Sequence, residues 1–402
     1  MNPDRQEGTK DHAWRVVHLN SLLTGGGTDD QSVKLAAGLQ RLGHAVWMTG
    51  PEGNEFSKVV RQMGLRFHVT PPEGPGKLRF IFSVAQLLRR ERIQIVHGHH
   101  GRDLWPTILA ARLSGVRPRV FLTRHLAKSP SSWFSRRFLL SQCDTLIAVS
   151  RFVEKVMREG VYEPESPEPE RRSRPPLRGD YSKIHVVYGG IDTDRFRPFE
   201  VAGQRLEWGL APDDIAFAVV GGYDRPRGKG QREFLRAAAR VRERIPRARF
   251  LIVGRGNLKE VLEDDIVALG LKGRAWLTPY CRDMPAAMNA IDCLVHPQIG
   301  TEAFPGVVLE AFACGKPVIA TALDGIPEAF AAGNYGRLVP PEDIESLADA
   351  LRGQASQRLL SKAEREGLWQ RVAERFSLQV MTKAVAELYQ ELPNGTRRFI
   401  EN

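Results

Sequence analysis

Short apolar runs alternate with amphipathic stretches along almost the whole chain. In the first half, the runs that predict strands lie at residues 14–19, 45–49, 93–97, 120–123, 144–149 and 183–188. In the second half, they lie at residues 215–221, 249–254, 275–278, 292–296 and 317–321. Continuous apolar strands with helices between them are typical of parallel sheets that are covered on both faces. The pattern therefore predicts an α/β protein with two such sheets, of about six and about five strands, each in a Rossmann-like domain.

The length of the chain also favours two domains, because 402 residues exceed what one ordinary hydrophobic core supports. We predict a polar N-terminal tail at 1–13, a first domain at 14–200, a second domain at 201–375 and a C-terminal segment at 376–402. The linker between the domains is predicted at 195–203, where Arg, Pro and Gly interrupt the apolar pattern.

One segment of the first half does not fit the alternating pattern. Residues 163–170 combine prolines with four glutamates, and residues 171–178 contain four arginines. A stretch this rich in proline and charge is a poor strand and a poor packed helix. We therefore predict that residues 163–178 form an exposed, mobile insertion whose acidic and basic halves attract each other.

The net charge of +11 lies almost entirely in the first half of the chain. Residues 1–200 contain 31 Lys and Arg against 21 Asp and Glu, whereas residues 201–402 are nearly neutral. A basic half suits an anionic acceptor or an anionic membrane face, or it is merely a soluble basic surface. Nucleic acid is not expected as a partner, because no basic stretch is interleaved with aromatic residues in a recognisable binding motif.

Three features of the chain favour a location in the cytoplasm. Residues 1–13 lack the apolar core of a signal peptide. No run of about 18 apolar residues predicts a membrane-spanning helix. Cys143, Cys281, Cys293 and Cys314 are scattered without the spacing of a metal or redox motif, as expected for thiols in a reducing compartment.

Two glutamates, Glu302 and Glu310, lie eight residues apart on either side of a Pro-Gly turn. Pro305 and Gly306 stand where a loop must become a helix, which we predict to start near Val307. Glu302 then precedes the helix and Glu310 lies one turn inside it, so both can face one crevice. Because the N-terminus of a helix attracts anions, this arrangement suits a ligand with phosphates between hydroxyl-bearing sugars. Taken alone, each carboxylate is equally compatible with helix-end charge or solvated surface.

Two glycine-rich segments follow predicted strands. The segment 25–27 ends the first strand and opens a helix, so its backbone N–H groups can approach a phosphate. The segment 221–230 follows the first strand of the second half and carries Arg225, Arg227 and Lys229. Either segment is also compatible with an ordinary tight turn or an exposed basic turn.

Histidines end two predicted strands of the first half. His125 follows the strand 120–123, and His97, His99 and His100 end the neighbouring strand. An imidazole can donate or shuttle a proton near neutral pH, which suits a group beside a reacting centre. A structural hydrogen bond is the alternative for each. A metal site is not expected, because no carboxylate or cysteine is spaced to complete one.

Taken together and in chain order, these segments resemble the signatures of the family 4 glycosyltransferases, the retaining enzymes of the GT-B fold. The stretch from Glu302 to Glu310 resembles the E-x7-E motif of that family, and Lys229-Gly230 resembles its K-G element. Further matching segments are 122–125, 149–151, 187–192 with Phe196, 253–256 and 325–328. The resemblance extends from about residue 14 to residue 390.

The resemblance implies two Rossmann-like domains that face each other across a cleft, with a C-terminal helix that crosses back onto the first domain. It implies a nucleotide-sugar site on the second domain and an acceptor site on the first. It places Glu302 at the donor sugar, Glu310 at the ribose hydroxyls and His125 near the transferring carbon.

By the same resemblance, the donor diphosphate is held by Lys229 together with either Arg225 or Arg227. Fixed cations there stabilise the charge that develops on the leaving diphosphate. The other implied donor contacts are Gly26, Gly27, Phe304, Pro305, Gly306 and Val307.

The chain departs from the family pattern at several positions that border these motifs. Gly222 stands where an arginine is usual, and Asp29-Asp30 replaces the acidic position of the glycine-rich loop. Gly189 replaces an asparagine, and Asp324 replaces a glycine. The backbone detail at these positions is therefore expected to differ from the family.

The implied reaction is transfer of a glycosyl unit with retention from a UDP-, GDP- or ADP-linked donor, without a metal, a cofactor or a protein nucleophile. Because the first half of the chain is basic, we hypothesise that the acceptor is an envelope glycoconjugate, such as a lipopolysaccharide core or a lipid-linked saccharide. For the same reason we expect peripheral binding at the inner face of the cytoplasmic membrane.

Two other classes of function remain open. A nucleotide-sugar epimerase on the same scaffold would turn over the donor without an acceptor. A non-catalytic protein would bind a sugar nucleotide or a glycan only. A plain dinucleotide dehydrogenase is not expected, because no G-x-G-x-x-G with a following acidic residue comes after the first strand.

Overall fold

The computed structural model describes residues 13–391 except 54, 72–76, 280 and 358–359. The predicted tail lies outside these residues apart from its last position. The strands are β1 (Arg15–Leu19), β2 (Ala45–Gly50), β3 (Arg66–Val69), β4 (Ile95–Gly98), β5 (Arg119–Arg124), β6 (Thr145–Ala148), β7 (Val161–Tyr162), β8 (Ser173–Arg174), β9 (Ile184–Val186), β10 (Ile215–Val220), β11 (Ala248–Val253), β12 (Ala275–Leu277), β13 (Cys293–His296), β14 (Val318–Thr321) and β15 (Gly336–Val339).

Helices connect these strands. They are α1 (Gly27–Arg41), α2 (Glu55–Gln62), α3 (Lys77–Arg90), α4 (Leu104–Leu113), α5 (Trp133–Gln142), α6 (Arg151–Arg158), α7 (Pro169–Arg172), α8 (Ala202–Glu207), α9 (Gln231–Val241), α10 (Lys259–Ala268), α11 (Met284–Ala290), α12 (Gly306–Ala313), α13 (Ile326–Gly333), α14 (Ile344–Ala355), α15 (Lys362–Phe376) and α16 (Leu378–Gln390).

Two parallel sheets carry the described part of the chain. One has seven strands in the order β3-β2-β1-β4-β5-β6-β9, and the other has six in the order β12-β11-β10-β13-β14-β15. The strand order of each sheet reverses beside its first strand, at β1/β4 and at β10/β13. Ligands of open α/β sheets bind outside the carboxyl ends of the strands at such switch points. The glycine-rich segments after β1 and β10 therefore lie where a ligand is expected, and the predicted α/β architecture is confirmed.

Each sheet is buried on both faces, which is why its strands are continuously apolar. In β1, Val17 packs into the cluster that contains residues of α3 and α4, whereas Val16 packs into the cluster under α1 and α16. In β10, Ala218 and Phe217 likewise belong to two different clusters. A strand covered on both faces loses the polar alternation of a surface strand.

The predicted strand numbers were each one too low. The apolar pattern does not predict β3 or β15, and both lie at an edge of their sheet. An edge strand is covered on fewer sides, and its residues here are mostly exposed or half-buried. Arg66, His68 and Arg337 interrupt the apolar pattern of these strands, so the signal that identified the central strands is weak at the edges.

The prediction that the charged insertion at 163–178 is exposed and forms neither helix nor strand is wrong, and its mobility stays a prediction. The segment contains α7 and pairs β8 with β7 in a short antiparallel ladder. The guanidinium of Arg174 is only 1% exposed, and the carboxylate of Glu163 accepts hydrogen bonds from Arg171 at 2.9 Å and from Arg174 at 3.0 Å. The attraction between its acidic and basic halves, which the sequence did indicate, is realised in the pairs of Glu163 with Arg171 and Arg174.

The last helix leaves the second half of the chain and packs on the first. The helix α15 packs against α12 and α13, the chain turns at Ser377, and α16 then packs against α1. Tyr389 is fully buried, and its hydroxyl lies 2.7 Å from Nδ1 of His97. Arg119 donates hydrogen bonds to the carbonyl oxygens of Tyr389 and Glu391, so the C-terminal end of α16 is tied to the first domain. The crossing of the C-terminal helix is thereby confirmed.

The contact between α1 and α16 can be tested at Gly38. A Cβ atom there would lie 2.3 Å from Oγ1 of Thr382, so Gly38→Ala is expected to lower the free energy of unfolding by about 1–3 kcal/mol. In a Thr382→Ala background the contacts with Oγ1 and Cγ2 are removed and only the contact with Cβ at 3.1 Å remains, while Ala is favoured over Gly inside a helix by about 1 kcal/mol. The same substitution should then be much less destabilising, as measured by chemical denaturation. Equal effects of Gly38→Ala in the two backgrounds would show that the two helices are not in this contact.

Candidate functional site

The loops that follow the strands of the two sheets meet across the space between the domains. The side chain of Gln31 in α1 donates a hydrogen bond to the carbonyl oxygen of Gly190 at 2.9 Å. A Cβ atom on Gly189 would lie 3.8 Å from the ring of Phe304. Charged groups of α1 and the carboxyl of Glu310 in α12 also influence each other. The N-termini of α1 and α12 therefore border the same space.

The helix α12 begins one residue earlier than predicted, at Gly306, with Pro305 as its N-cap. Glu302 lies on the preceding loop and Glu310 lies one turn inside the helix, as the spacing predicted. The first backbone N–H groups of a helix have no acceptor within it, and they carry the positive end of the helix dipole. Gly306 and Val307 contribute such groups to the space between the domains.

Lys229 and Glu302 form an ion pair, with Nζ 2.8 Å from Oε2. Burial on its own would raise the pKa of the Glu302 carboxyl, but Lys229 and then His296 lower it, and the net shift is downward. The carboxylate is therefore ionised beside the ammonium. Burial lowers the pKa of His296 to about 4, so its ring is neutral at ordinary pH. The site thus holds a cation and an anion in contact. An anionic ligand could replace Glu302 at Lys229, and a hydrogen-bond donor could replace Lys229 at Glu302.

The loop that carries Lys229 is held rigidly. The side-chain oxygen of Gln231 accepts a hydrogen bond from the backbone N–H of Lys229 at 2.6 Å, and its amide nitrogen donates to the carbonyl of Gly222 at 3.2 Å. Gly230 has a φ of +84°, and a Cβ atom there would lie 1.9 Å from the carbonyl oxygen of Pro297. Only glycine fits this approach, which fixes the loop against the segment after β13.

The two arginines considered for the diphosphate have different surroundings. The backbone N–H of Arg225 donates to Oδ1 of Asn257 at 2.8 Å, and its side chain is exposed. The guanidinium of Arg227 is paired with the carboxylate of Glu168, from the charged insertion of the first domain. A phosphate that reached Arg227 would compete with Glu168. The choice between Arg225 and Arg227 stays a prediction.

The glycine-rich loop after β1 is stabilised by Asp29. Its buried carboxylate accepts hydrogen bonds from the N–H of Gly25 at 2.8 Å and from Asn20 at 2.6 Å, and it lies 2.7 Å from Nε2 of His100. Burial opposes ionisation, but these bonds, with His100 first, hold the pKa of the Asp29 carboxyl well below its usual range. Asp29 is therefore an internal anchor of the loop. The sequence left its role open, although its departure from the family pattern was a signal.

Gly26 and Gly27 lie on the accessible side of this loop. Both are exposed, and a Cβ atom at either position would meet no atom within 4 Å. Asp30, the second acidic residue, pairs with Lys34 on the surface of α1 at 2.6 Å. The start of α1 therefore leaves open space above its backbone N–H groups.

His125 belongs to a chain of hydrogen-bonded imidazoles on the first domain. Its Nε2 lies 3.2 Å from Nδ1 of His99, whose Nε2 lies 2.8 Å from Nδ1 of His18. Burial, and to a smaller extent the charges of His100 and Arg124, lowers the pKa of His125 to about 3. A neutral imidazole donates or accepts a hydrogen bond and does not act as a cation. All groups that shift its pKa belong to the first domain, whereas Lys229 and Glu302 belong to the second.

Three histidines of the first domain, His18, His97 and His99, form the one group among the described residues whose spacing could accommodate a metal ion. The ring nitrogens of His18, His97 and His99 lie within 4.8 Å of one another. His97 is already engaged on both sides, by the hydroxyls of Tyr389 and Thr123 at 2.7 Å each. The cluster is therefore built as a hydrogen-bonded network, and the absence of a metal stays a prediction.

Glu328 fastens the second domain to the first. Its carboxylate accepts hydrogen bonds from the backbone N–H groups of Arg151 at 2.9 Å and Phe152 at 2.7 Å, and from the hydroxyl of Tyr188 at 3.0 Å. Arg151 and Phe152 begin α6, so an anion of one domain caps a helix of the other. The segment 325–328 was noticed only as a sequence signature, because a motif does not identify a partner on another domain.

Two family models match the chain. The model described as Glycosyltransferase Family 4 matches residues 25–165, and the model described as Glycosyl transferases group 1 matches residues 215–356. The D-inositol 3-phosphate glycosyltransferase of Mycobacteroides abscessus is 38% identical over 179 residues, which are 43% of this chain and 39% of that protein. The match spans about two fifths of the length of that curated relative.

Solved structures share the architecture over nearly the whole chain. The Anabaena protein HepE, crystallised with UDP and glucose, gives a TM-score of 0.76 at 19% identity and covers 94% of this chain and 100% of its own. The lipopolysaccharide outer core galactosyltransferase WaaB, in its apo form, gives a TM-score of 0.67 at 15% identity over 94% of this chain and 99% of its own. These likenesses show that the two-domain fold is GT-B.

Glu310 provides a test of this site that needs no ligand. Burial raises the pKa of its carboxyl from 4.5 to about 7, although Lys34 opposes the rise. The folded protein then keeps a proton that the unfolded chain releases, so this contribution to stability is complete below pH 4.5 and is lost as the pH rises to about 7. The free energy of unfolding of Glu310→Gln, relative to that of the wild type, should therefore increase by about 1–3 kcal/mol between pH 4.5 and pH 8, as measured by urea unfolding.

The control for this experiment is Glu366→Gln, which changes an exposed glutamate of α15. Its stability relative to the wild type should be the same at both pH values. A pH-independent difference for Glu310→Gln would show that the Glu310 carboxyl ionises as freely in the folded protein as in the unfolded chain.

Proposed function

The chain belongs to the family 4 glycosyltransferases, and we propose that it transfers a sugar with retention from a nucleotide-sugar donor to a glycoconjugate acceptor of the cell envelope. The observation that carries the proposal is the Lys229–Glu302 ion pair, which lies beside the start of α12 and opposite the start of α1. A cation, an anion and two helix N-termini at one cleft match a ligand that combines sugar hydroxyls with a diphosphate.

In the proposed donor complex, the diphosphate binds the ammonium of Lys229 and the free N–H groups at Gly306 and Val307. Glu302, which neutralises Lys229 at 2.8 Å without a donor, then accepts hydrogen bonds from sugar hydroxyls. Glu310 accepts the ribose hydroxyls. This exchange of partners leaves each charged group hydrogen-bonded at every stage, which limits the cost of desolvating the site.

In the proposed reaction, the bond between the sugar carbon and the diphosphate oxygen breaks first. The acceptor oxygen forms its bond to that carbon on the same face, and the acceptor proton passes to the departing phosphate oxygen. Lys229 stabilises the negative charge that grows on the diphosphate. His125, neutral because burial lowers its pKa to about 3, orients the donor or the acceptor by a hydrogen bond.

The relatives suggest which substrates to examine first. HepE was crystallised with UDP and glucose, so we propose a UDP-linked sugar as the leading donor. The names of the relatives specify two acceptors, D-inositol 3-phosphate and the lipopolysaccharide outer core. We propose an anionic acceptor, because the first domain carries most of the net charge of the chain.

The donor site is tested by ligand-induced stabilisation. We expect the melting temperature to rise with one of UDP, GDP and ADP and with its sugar conjugate, since a ligand that binds only the folded state stabilises it by mass action. Glu310→Ala should weaken nucleotide binding, whereas Lys229→Ala should mainly reduce kcat, by about tenfold or more. If no nucleotide shifts the melting temperature, or if both variants turn over like the wild type, the assigned roles are wrong.

The same assays separate the alternative functions. An epimerase converts the sugar nucleotide in the absence of an acceptor, whereas a transferase releases free nucleotide only when an acceptor is added. A protein that binds without catalysis shows the thermal shift and no turnover. D-inositol 3-phosphate and a lipid-linked saccharide are tested in parallel as acceptors.

An exposed apolar patch supports the proposed membrane association. Trp133 is 62% exposed and Phe134 is 52% exposed at the start of α5, and Leu126 nearby is 49% exposed. Arg136 and Arg137 follow on the same helix. Aromatic side chains next to arginines suit the headgroup region of an anionic bilayer. No helix in the described ranges is long and apolar enough to span a bilayer.

Flotation with liposomes tests this patch. The double variant Trp133→Ser/Phe134→Ser should reduce binding to vesicles with anionic lipid by about tenfold, because it removes two apolar side chains that would enter the interface. The control Leu206→Ser/Val267→Ser removes exposed apolar side chains from the second domain, where Leu206 is 78% exposed. Equal flotation of the wild type and both variants, or no flotation at all, rules out this membrane contact.

A further inference from the structure

Asp324 occupies a backbone conformation that disfavours most side chains. It lies in the connection from β14 to α13 and has a φ of +49°. The left-handed region costs an L-residue about 1 kcal/mol, and glycine adopts it without strain. Since Asp324 has this conformation although it costs free energy, we ask which contacts its side chain makes.

Both carboxylate oxygens of Asp324 are used. Oδ1 accepts a hydrogen bond from Nη1 of Arg174 at 3.0 Å, and Oδ2 accepts one from the backbone N–H of Glu302 at 3.2 Å. The side chains of Arg174 and Asp324 are each 1% exposed. One buried carboxylate therefore joins the charged insertion of the first domain to the loop that carries Glu302.

The backbone of Glu302 is held from its other side as well. Its carbonyl oxygen accepts a hydrogen bond from the N–H of Gly325 at 3.0 Å. A Cβ atom on Gly325 would lie 1.9 Å from the carbonyl oxygen of Ala303, so the two loops are in direct backbone contact. The N–H and the C=O of Glu302 are thus both fixed by the consecutive residues Asp324 and Gly325.

Arg174 is in turn fixed to the first domain. Its Nη2 donates to Glu163 at 3.0 Å and its Nη1 donates to the carbonyl oxygen of Ala127 at 3.3 Å. The guanidinium also lies 5.0 Å from the ring centre of Phe152. Hydrogen bonds therefore connect the first domain to Arg174, Arg174 to Asp324, and Asp324 to the backbone of Glu302.

Stability alone does not account for this pair. A buried ion pair often contributes no more to stability than apolar residues of the same size. This pair additionally leaves Nε of Arg174 buried without an acceptor in the described structure and requires a positive φ at Asp324. Because these two features lower stability, we look for the role of the pair in the Glu302 loop, to which Asp324 is bonded.

We propose that Arg174 and Asp324 are positioning residues for the transfer reaction, which hold Glu302 in place when the two domains are apposed as in this structure. The inference rests on the proposed function of Glu302 at the donor sugar. It makes the geometry of a second-domain residue depend on a side chain of the first domain. Loss of the domain contact would thereby loosen the Glu302 loop before any substrate is bound.

The double variant Arg174→Met/Asp324→Gly tests the proposal while it avoids an unpaired buried charge. Each single substitution is expected to lower the melting temperature, and the double variant is expected to recover most of that loss. Its kcat for release of UDP from UDP-glucose with acceptor should nevertheless fall by about tenfold or more, because small misplacement of a reacting group is costly. Its affinity for UDP alone should change by less than about twofold, since Lys229 and Glu310 are untouched.

A second Arg–Asp pair provides the matched control. Nη2 of Arg249 lies 2.8 Å from Oδ1 of Asp214, and Oδ2 of Asp214 accepts the backbone N–H of Ala211 at 2.8 Å. This pair repeats the bonding of Arg174 with Asp324, but it lies where β10 and β11 begin, at the opposite end of the sheet from Glu302. Arg249→Met/Asp214→Gly should lower the melting temperature and leave kcat unchanged.

Hydrogen exchange of the backbone amides at 299–306 gives a readout that does not depend on activity. It should be faster in the double variant at Arg174 and Asp324, and unchanged in the control. Unchanged exchange, an unchanged kcat, or an equal fall of kcat in the control would each overturn the proposal. If the wild type itself transfers no sugar, the proposed function fails, and the exchange measurement still decides whether the pair holds the Glu302 loop.

Discussion

The surrounding structure holds Lys229 and Glu302 in contact with each other. Two opposite charges are held 2.8 Å apart in a cleft where burial would favour the neutral form of the carboxyl. Such a pair is stable only if neither backbone can drift. Gln231 and Gly230 fix the loop of Lys229, and Asp324 fixes the loop of Glu302. The parallel sheets supply the frame, because their carboxyl ends bring both loops to one edge.

Polar contacts join the two domains at this edge. Glu328 caps the start of α6, and Arg174 reaches Asp324. Hydrogen bonds and ion pairs of this kind can be exchanged for bonds to a ligand or to water at moderate cost. The helix α16, which is buried against α1, is the apolar part of the connection. A polar edge and an apolar tether are consistent with domains that can move without separating.

Several titratable groups of the two domains are buried at a cost to stability. Burial raises the pKa of Glu310 to about 7 and lowers that of His125 to about 3, so both carry a cost of desolvation. Asp324 adds a backbone strain of about 1 kcal/mol. Perturbed groups of this kind cluster at functional sites. Glu310 lies in α12, and Asp324 is bonded to the backbone of Glu302, so both belong to the second-domain side of the proposed donor site.

The sequence by itself determined the two parallel sheets and the order of the motifs along them. It also drew attention to Glu302 and Glu310, because helix starts and short spacings are local properties of a chain, and to Lys229 through its resemblance to a family motif. Only the tertiary structure decided which charges pair. Arg174 and Asp324 are 150 positions apart, and the charged insertion contains such partners although the sequence predicted it to be exposed. A distant partner leaves no periodic trace in the sequence, since its attraction acts only after folding has removed both groups from water.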